Sequence, residues 1–200
     1  MQSVNHASPL FLVLAAGHGR RFGAEKLSAL LPSEPEQTTV LARTLNTLQQ
    51  VSQNICLVCR ENQSELQQQC ERRNVHWLRV PENNQGIGES LSFGVRQNAQ
   101  ASGWIICLAD MPWVTAETYA AIAAALSSRR IVTPIAPNGT RGNPVGFGSS
   151  FLEELSALTG DQGAKSILHR HPEQIHPLNL PDKAILMDID YSSDINSTPQ

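Results

Sequence analysis

Residues 10–26 read Leu10-Phe11-Leu12-Val13-Leu14-Ala15-Ala16-Gly17-His18-Gly19-Arg20-Arg21-Phe22-Gly23-Ala24-Glu25-Lys26. The apolar run Leu10 to Leu14 has the length of one buried strand, and small residues (Ala15, Ala16, Gly17, Gly19) follow it directly. A continuous apolar run closed by glycines predicts the first strand of a parallel sheet, leading into a loop and a helix. Glycines let backbone amides approach an anion, helix-start amides add partial positive charge, and Arg20, Arg21 and Lys26 add full charges. The stretch therefore predicts a polyphosphate site at the carboxyl edge of the sheet.

Two common phosphate loops do not fit. A dinucleotide fingerprint requires G-x-G-x-x-G, whereas Gly17, Gly19 and Gly23 are spaced G-x-G-x-x-x-G. A P-loop requires G-x-x-x-x-G-K-[ST], but the fifth residue after Gly17 is Phe22, with no Lys-Ser/Thr pair behind it.

Working outward, the elements alternate in type. Val40, Leu41, Leu45 and Leu48 share one face of a helix that starts at Thr39, and Asn54 to Cys59 reads as a second strand. A polar helix (Gln63 to Arg73), a strand (Val75 to Val80), a helix within Gly86 to Ala101 and a strand (Trp104 to Leu108) follow. An alanine-rich helix from Thr115 to Ser127, capped by Thr115, precedes shorter strands at Arg130 to Ile135 and Val145 to Gly148. Helices at Phe151 to Leu158 and Gly163 to Arg170 lead to an expected terminal pair of strands, Ile175 to Leu180 and Ala184 to Met187. Alternation with short connections predicts an α/β fold, a three-layer α/β/α sandwich with a mostly parallel, Rossmann-like sheet. No repeat, low-complexity tract or long linker divides the 200 residues, so a single domain over 1–200 is expected.

Composition narrows the function. A net charge of −3, from 15 cations and 18 anions, argues against a general nucleic-acid binder. No apolar stretch approaches the ~20 residues of a membrane-spanning helix. Residues 10–16 have the apolar character of a signal-peptide core, but Met1 to Pro9 carries no Lys or Arg, so a cytoplasmic protein is expected. Cys56 and Cys59 are three apart on a strand and point to opposite faces, so they form neither a redox pair nor half a zinc site; Cys107 also reads as a buried thiol. His169, His171 and His176 do not converge as metal ligands and read as solvent-exposed.

Two further stretches carry chemistry. Asp110 directly follows the apolar strand Trp104 to Leu108 in W-I-I-C-L-A-D-M-P, with Pro112 ending the turn, which places its carboxylate at the ligand-binding edge to hold Mg2+ against phosphates. In residues 82–91, E-N-N-Q-G-I-G-E-S-L, Asn83, Asn84 and Ser90 can hydrogen-bond a base or ribose, and Gly86 and Gly88 allow backbone contact; an ordinary loop before a capped helix fits equally well.

The loop resembles the nucleotidyltransferase signature L-A-[AG]-G-x-[GS]-x-R-[MF]-G-x-x-K, and along the chain the resemblance is to the molybdenum cofactor cytidylyltransferases. It implies a sheet of the nucleotide-diphospho-sugar transferase type, with a nucleotide-binding half at about 9–112 and an acceptor-binding half at about 113–195. By resemblance, Leu14, Ala15, Ala16, Gly17 and Gly19, with Asn83, Gln85, Gly86 and Ser90, line the nucleotide pocket. Arg21, Lys26 and Asp110 carry catalysis, and Asp110 and Asp190 hold Mg2+. In N-G-T-R-G-N-P-V-G-F, residues Arg141, Gly142, Asn143 and Pro144 stand on the acceptor side, although Asn143 replaces the histidine of some members. Gly160-Asp161-Gln162-Gly163-Ala164 matches the family's G-D-x-G-[AR], where helix capping and acceptor contact both stay open. Asp188-Ile189-Asp190 resembles D-I-D-T-P-x-D, with Tyr191-Ser192 in place of Thr-Pro and Asp194 retained.

The implied reaction is attack by the terminal phosphate of molybdopterin or molybdenum cofactor on the α-phosphorus of CTP, with loss of pyrophosphate. Ala16 stands where guanylyl-transferring relatives tend to have glycine, which favours a pyrimidine. The product would pass to a molybdoenzyme or its maturation chaperone, with no nucleic-acid or membrane partner. Competing readings are transfer to a sugar or polyol phosphate, GTP-dependent guanylyl transfer, and a non-catalytic nucleotide or cofactor carrier. The last is opposed by the intact Arg21, Lys26 and Asp110 set, and a nicotinamide oxidoreductase by the glycine spacing.

Overall fold

The computed structural model describes residues 8–16, 26–32, 34, 38–82 and 86–196. Seven strands form one sheet in the order β3-β2-β1-β4-β6-β5-β7. These are β1 (Leu10–Leu14), β2 (Ile55–Cys59), β3 (His76–Arg79), β4 (Gly103–Leu108), β5 (Ile131–Ile135), β6 (Val145–Gly148) and β7 (Ile175–Asn179). The first four are parallel, with β1 between β2 and β4. β6 runs antiparallel to β4 and β5, whereas β7 returns parallel to β5. The expected mostly parallel, three-layer α/β sandwich is the architecture found.

Burial on both faces explains the unbroken apolar runs: every residue of β1 and β2 is buried. Phe11 and Val13 face one layer, with Val40, Leu41, Leu45 and Leu48 of α1 (Val40–Gln49), Leu66 of α2 (Ser64–Arg72) and Ile122 of α4 (Ala116–Ala125). Leu10, Leu12 and Leu14 face the other, with Leu91 and Val95 of α3 (Ile87–Gln97), Leu155 of α5 (Leu152–Ser156) and Ile167 of α6 (Lys165–Arg170). Cys56 and Cys59 indeed fall into opposite layers. Burial pushes their thiols up to about 12 and about 11 respectively, and Cys70 to about 12, so these sulfurs are protonated packing groups at neutral pH.

Thr39 and Thr115 cap α1 and α4 by accepting hydrogen bonds from the amides of Ala42 and Thr118. Where the sequence suggested a last strand over Ala184 to Met187, the chain forms a 3-10 turn, Lys183–Leu186. Asp182 caps it through the Ala184 amide, and the neighbouring Ala184 and Ile185 are both fully buried, which alternation on a strand facing one layer would not allow. His171 also departs from expectation: it is half-buried, with Nε2 2.7 Å from Glu154 Oε1 and its ring edge-on to Phe151.

Asp182 also ties this turn to α4. Its Oδ2 accepts from the Thr115 amide (3.0 Å) and the Thr118 hydroxyl (2.7 Å) while Oδ1 holds the Ala184 amide (2.9 Å). Asp182→Ala is therefore expected to lower unfolding free energy by about 1–3 kcal/mol, read from the midpoint of urea denaturation.

Candidate active site

The sheet order changes direction at β1: β2 and β3 lie to one side and β4 to the other. In open α/β sheets that point leaves a crevice beyond the carboxyl ends of the strands. β1 and β4 meet there, with the Ala109 amide donating to Leu14 O (3.2 Å). Leu14, Ala15 and Ala16 are buried as they leave β1. Gly17, Gly19 and Arg21, like Asn83 and Gln85, lie outside the described residues.

Three side chains converge in the crevice. Lys26 Nζ is 2.7 Å from Asp110 Oδ2 and 3.6 Å from Asp190 Oδ1. Asp110 arrives from the end of β4. Asp190 arrives because the Ile189 amide donates to Asp110 O (2.9 Å), laying the C-terminal segment alongside the β4 exit. Asp194 Oδ2 then accepts from the amides of Asp190 (3.0 Å) and Tyr191 (2.8 Å), closing a turn in which Tyr191-Ser192 replaces Thr-Pro. Burial raises the Asp110 carboxyl above its ordinary value against the opposing pull of the Lys26 ammonium, and the Asp188 charge adds to the rise.

The donor set suits a hard divalent ion. Two carboxylates face the same Lys26 ammonium, and among the described residues no group of three or more metal-ligating side chains occurs. Mg2+ keeps several waters and is held by one or two carboxylates plus substrate phosphates, so Asp110 and Asp190 fit it without a third protein ligand.

Ser90 is buried and its hydroxyl donates to Gly86 O (3.1 Å) at the start of α3. The Gly88 amide donates to Gly160 O (2.9 Å), so the 160–163 turn backs the 86–90 segment. The N-cap of α6 is Ala164 with no side-chain cap bond, so Asp161 does not cap that helix. Arg141, Gly142, Asn143 and Pro144 lead into β6, whose first residue Val145 pairs with Ile106, near the carboxyl end of β4. The segment is anchored by the Gly142 amide on Pro134 O (3.0 Å) and the Asn143 amide on Ile185 O (2.9 Å). It thus enters beside the edge that carries Asp110.

Two residues at this edge escaped the sequence reading. Arg60 Nε donates to Ala16 O (2.6 Å) and Gln63 Nε2 to Ala15 O (3.1 Å), while Gln63 Oε1 accepts from the Arg60 amide (2.8 Å). The turn after β2 therefore satisfies the carbonyls of Ala15 and Ala16 at the β1 exit. The available signal was a cation immediately after an apolar strand, the feature that identified Asp110 with opposite sign. Arg60→Met is expected to weaken nucleotide binding about five- to tenfold with little change in melting temperature, as measured by calorimetric titration.

The sequence places the chain among known proteins. Residues 11–175 match the family described as MobA-like NTP transferase domain. The chain belongs to that family. It is a nucleotidyltransferase by domain, and its solved neighbours share the fold. Rv0371c from Mycobacterium tuberculosis H37Rv is 25% identical with a TM-score of 0.78, over 94% of this chain and 95% of that one. The same protein has been solved with manganese, at 24% identity and a TM-score of 0.74 over 94% and 95% of the two chains. A nucleotidyl transferase from Methanothermobacter thermautotroptrophicus, Mth528, is 20% identical with a TM-score of 0.75 over 94% of each chain. The 4-diphosphocytidyl-2C-methyl-D-erythritol synthase of Anaerococcus prevotii, at 15% identity, superposes with a TM-score of 0.70 over 96% of this chain and 94% of that one. Among curated proteins, none matches the chain. Among the described residues, no helix is long and apolar enough to cross a membrane.

Proposed function

We propose that this nucleotidyltransferase moves CMP from CTP to the terminal phosphate of a molybdopterin-type acceptor, releasing pyrophosphate. The observation that carries the reading is the convergence of Lys26, Asp110 and Asp190 at the crevice between β1 and β4. The half at about 9–112 binds the nucleotide and the half at about 113–195 the acceptor.

An acceptor phosphate, with a second pKa near ~6, is largely ionised at neutral pH and attacks without a strong general base. Catalysis then consists of alignment and charge neutralisation. Arg21 and Lys26 hold the triphosphate. Leu14, Ala15, Ala16, Gly17 and Gly19 form one wall of the nucleotide site, and Asn83, Gln85, Gly86 and Ser90 form or support the other. Arg141, Gly142, Asn143 and Pro144 stand beside the acceptor. Asp110 and Asp190 hold the divalent cation, Mg2+, which when bound supplies neutralising charge at the phosphates. Ala16, buried at the β1 exit, supports a pyrimidine because its methyl narrows the space by the base.

The test is pyrophosphate release with Mg2+ and CTP, GTP, ATP or UTP in turn, with and without molybdopterin. Release with CTP that depends on molybdopterin is expected. Release with a different nucleotide corrects the base; nucleotide binding with no release in any mixture sinks this acceptor.

A further inference from the structure

The Lys26 ammonium lies between the two carboxylates proposed to hold the metal, 2.7 Å from Asp110 and 3.6 Å from Asp190. Its side chain is only 12% exposed, against 23% for Asp110 and 37% for Asp190, so this contact forms away from bulk water, where pairing is strongest. A cation seated against Asp110 Oδ2 and Asp190 Oδ1 would need the space that Nζ fills. A metal ion slightly displaced from it would still stand within a few ångströms of a like charge, and that repulsion is comparable in size to the attraction of one carboxylate.

The donor count sharpens the point. Two carboxylates do not cage a divalent ion, which completes its shell with water and phosphate oxygens. The free protein thus offers the metal an incomplete shell that already holds a counterion. A nucleotide changes both terms: its phosphates supply oxygens for the metal and a competing anion for the ammonium. Lysine suits such an exchange, being a compact charge on a flexible four-carbon stem. Lys26 also begins the 3-10 turn Lys26–Ser28, in which Leu27 is the buried anchor, so Nζ can move while the turn stays packed.

We propose that Lys26 is a resident cation of the Asp110–Asp190 pair, drawn off by nucleotide phosphates, so that the divalent metal enters with or after the nucleotide and not before it. The inference rests on the metal role given to the two acids above, and it goes further by fixing the order of binding.

The experiment is titration of Mn2+ into the protein without nucleotide, with the unbound ion followed by electron paramagnetic resonance. Wild type is expected to retain Mn2+ weakly. Lys26→Met, which keeps the apolar stem and removes the charge, should hold it about tenfold more tightly or better. Lys26→Arg, which keeps the charge, should bind as weakly as wild type, and adding Asp190→Asn to Lys26→Met should reverse the gain. Melting curves confirm that the variants are folded. Equal Mn2+ affinity in wild type and Lys26→Met overturns the resident-cation proposal while leaving the metal role of the acids intact. Retention by neither protein, together with pyrophosphate release insensitive to EDTA, removes both.

Discussion

Asp110→Asn is expected to slow nucleotidyl transfer by about a thousandfold or more while lowering nucleotide affinity less than about tenfold. Asparagine keeps the shape of the side chain but cannot neutralise a divalent cation, and the loss is felt where phosphate charge builds up in the transition state. Under the proposed function, ground-state binding rests on residues 14–19 and on Lys26, which the substitution leaves in place beside Asp190, 3.6 Å away in the wild-type protein. Stability follows a different balance. Burial holds the Asp110 carboxyl above its ordinary value of 3.8 despite the Lys26 ammonium, so the folded protein binds this proton more tightly than the unfolded chain does. Its contribution to stability is therefore present in acid and is lost as pH rises from that unfolded value through the folded one. The asparagine variant removes a carboxylate that burial disfavours but takes from Lys26 its 2.7 Å partner, and with these effects opposed its melting temperature is expected to stay close to that of wild type. Single-turnover rates, calorimetric nucleotide titration and thermal melts at pH 7 check the three parts together. Parallel loss of rate and nucleotide affinity would argue against a metal-holding role.

That combination, a charged group retained where burial disfavours it, is what made Asp110 readable in the sequence. An acid directly after W-I-I-C-L-A has no packing reason to be there. The sheet was legible on the same grounds, because Leu10 to Leu14 and Trp104 to Leu108 are strands buried on both faces and carry no polar alternation. Thr39 and Thr115 marked helix starts through a local hydrogen bond that a local pattern can show. Harder to read was whatever depends on contacts distant in sequence. Asp190 was reached only through a family resemblance, since its arrival depends on the Ile189 amide finding Asp110 O. Arg60 looks like an ordinary surface cation until the Ala16 carbonyl is seen beside it. The 183–186 turn imitated a strand because Ala184 and Ile185 are buried without strand pairing, Ala184 within the core layer that holds α1 and α4. The insertion of β6 between β4 and β5 leaves no local trace at all.

The 160–163 turn shows how such a distant contact can be tested, and Gly86→Ala is expected to have a large structural effect. A Cβ built on Gly86 would stand 2.2 Å from Gly160 O, 2.3 Å from Gly160 C and 2.7 Å from the Asp161 amide nitrogen. All three are backbone atoms, so no side chain can swing aside. Gly86 has φ −171°, an extended backbone open to any residue, so the cost is steric and not conformational. Relief requires the start of α3 to part from the turn, which breaks the Gly88 amide to Gly160 O bond and shifts the segment carrying Ser90. A loss of about 2–4 kcal/mol in unfolding free energy is expected, with weaker nucleotide binding in the folded fraction. Neighbouring glycines separate the causes. At Gly160 (φ +55°) a Cβ meets nothing within 4 Å, so Gly160→Ala should lose only the about 1–2 kcal/mol of left-handed backbone strain. At Gly163 the nearest contact is Ile87 Cγ2 at an ordinary 3.8 Å, and Gly163→Ala should stay within about 0.5 kcal/mol of wild type. Urea denaturation of the three variants should rank them Gly86, Gly160, Gly163 in decreasing damage. If Gly86→Ala proved as mild as Gly163→Ala, the close packing of α3 on this turn would be wrong, and the 86–90 segment would have to be positioned from the β3 side instead.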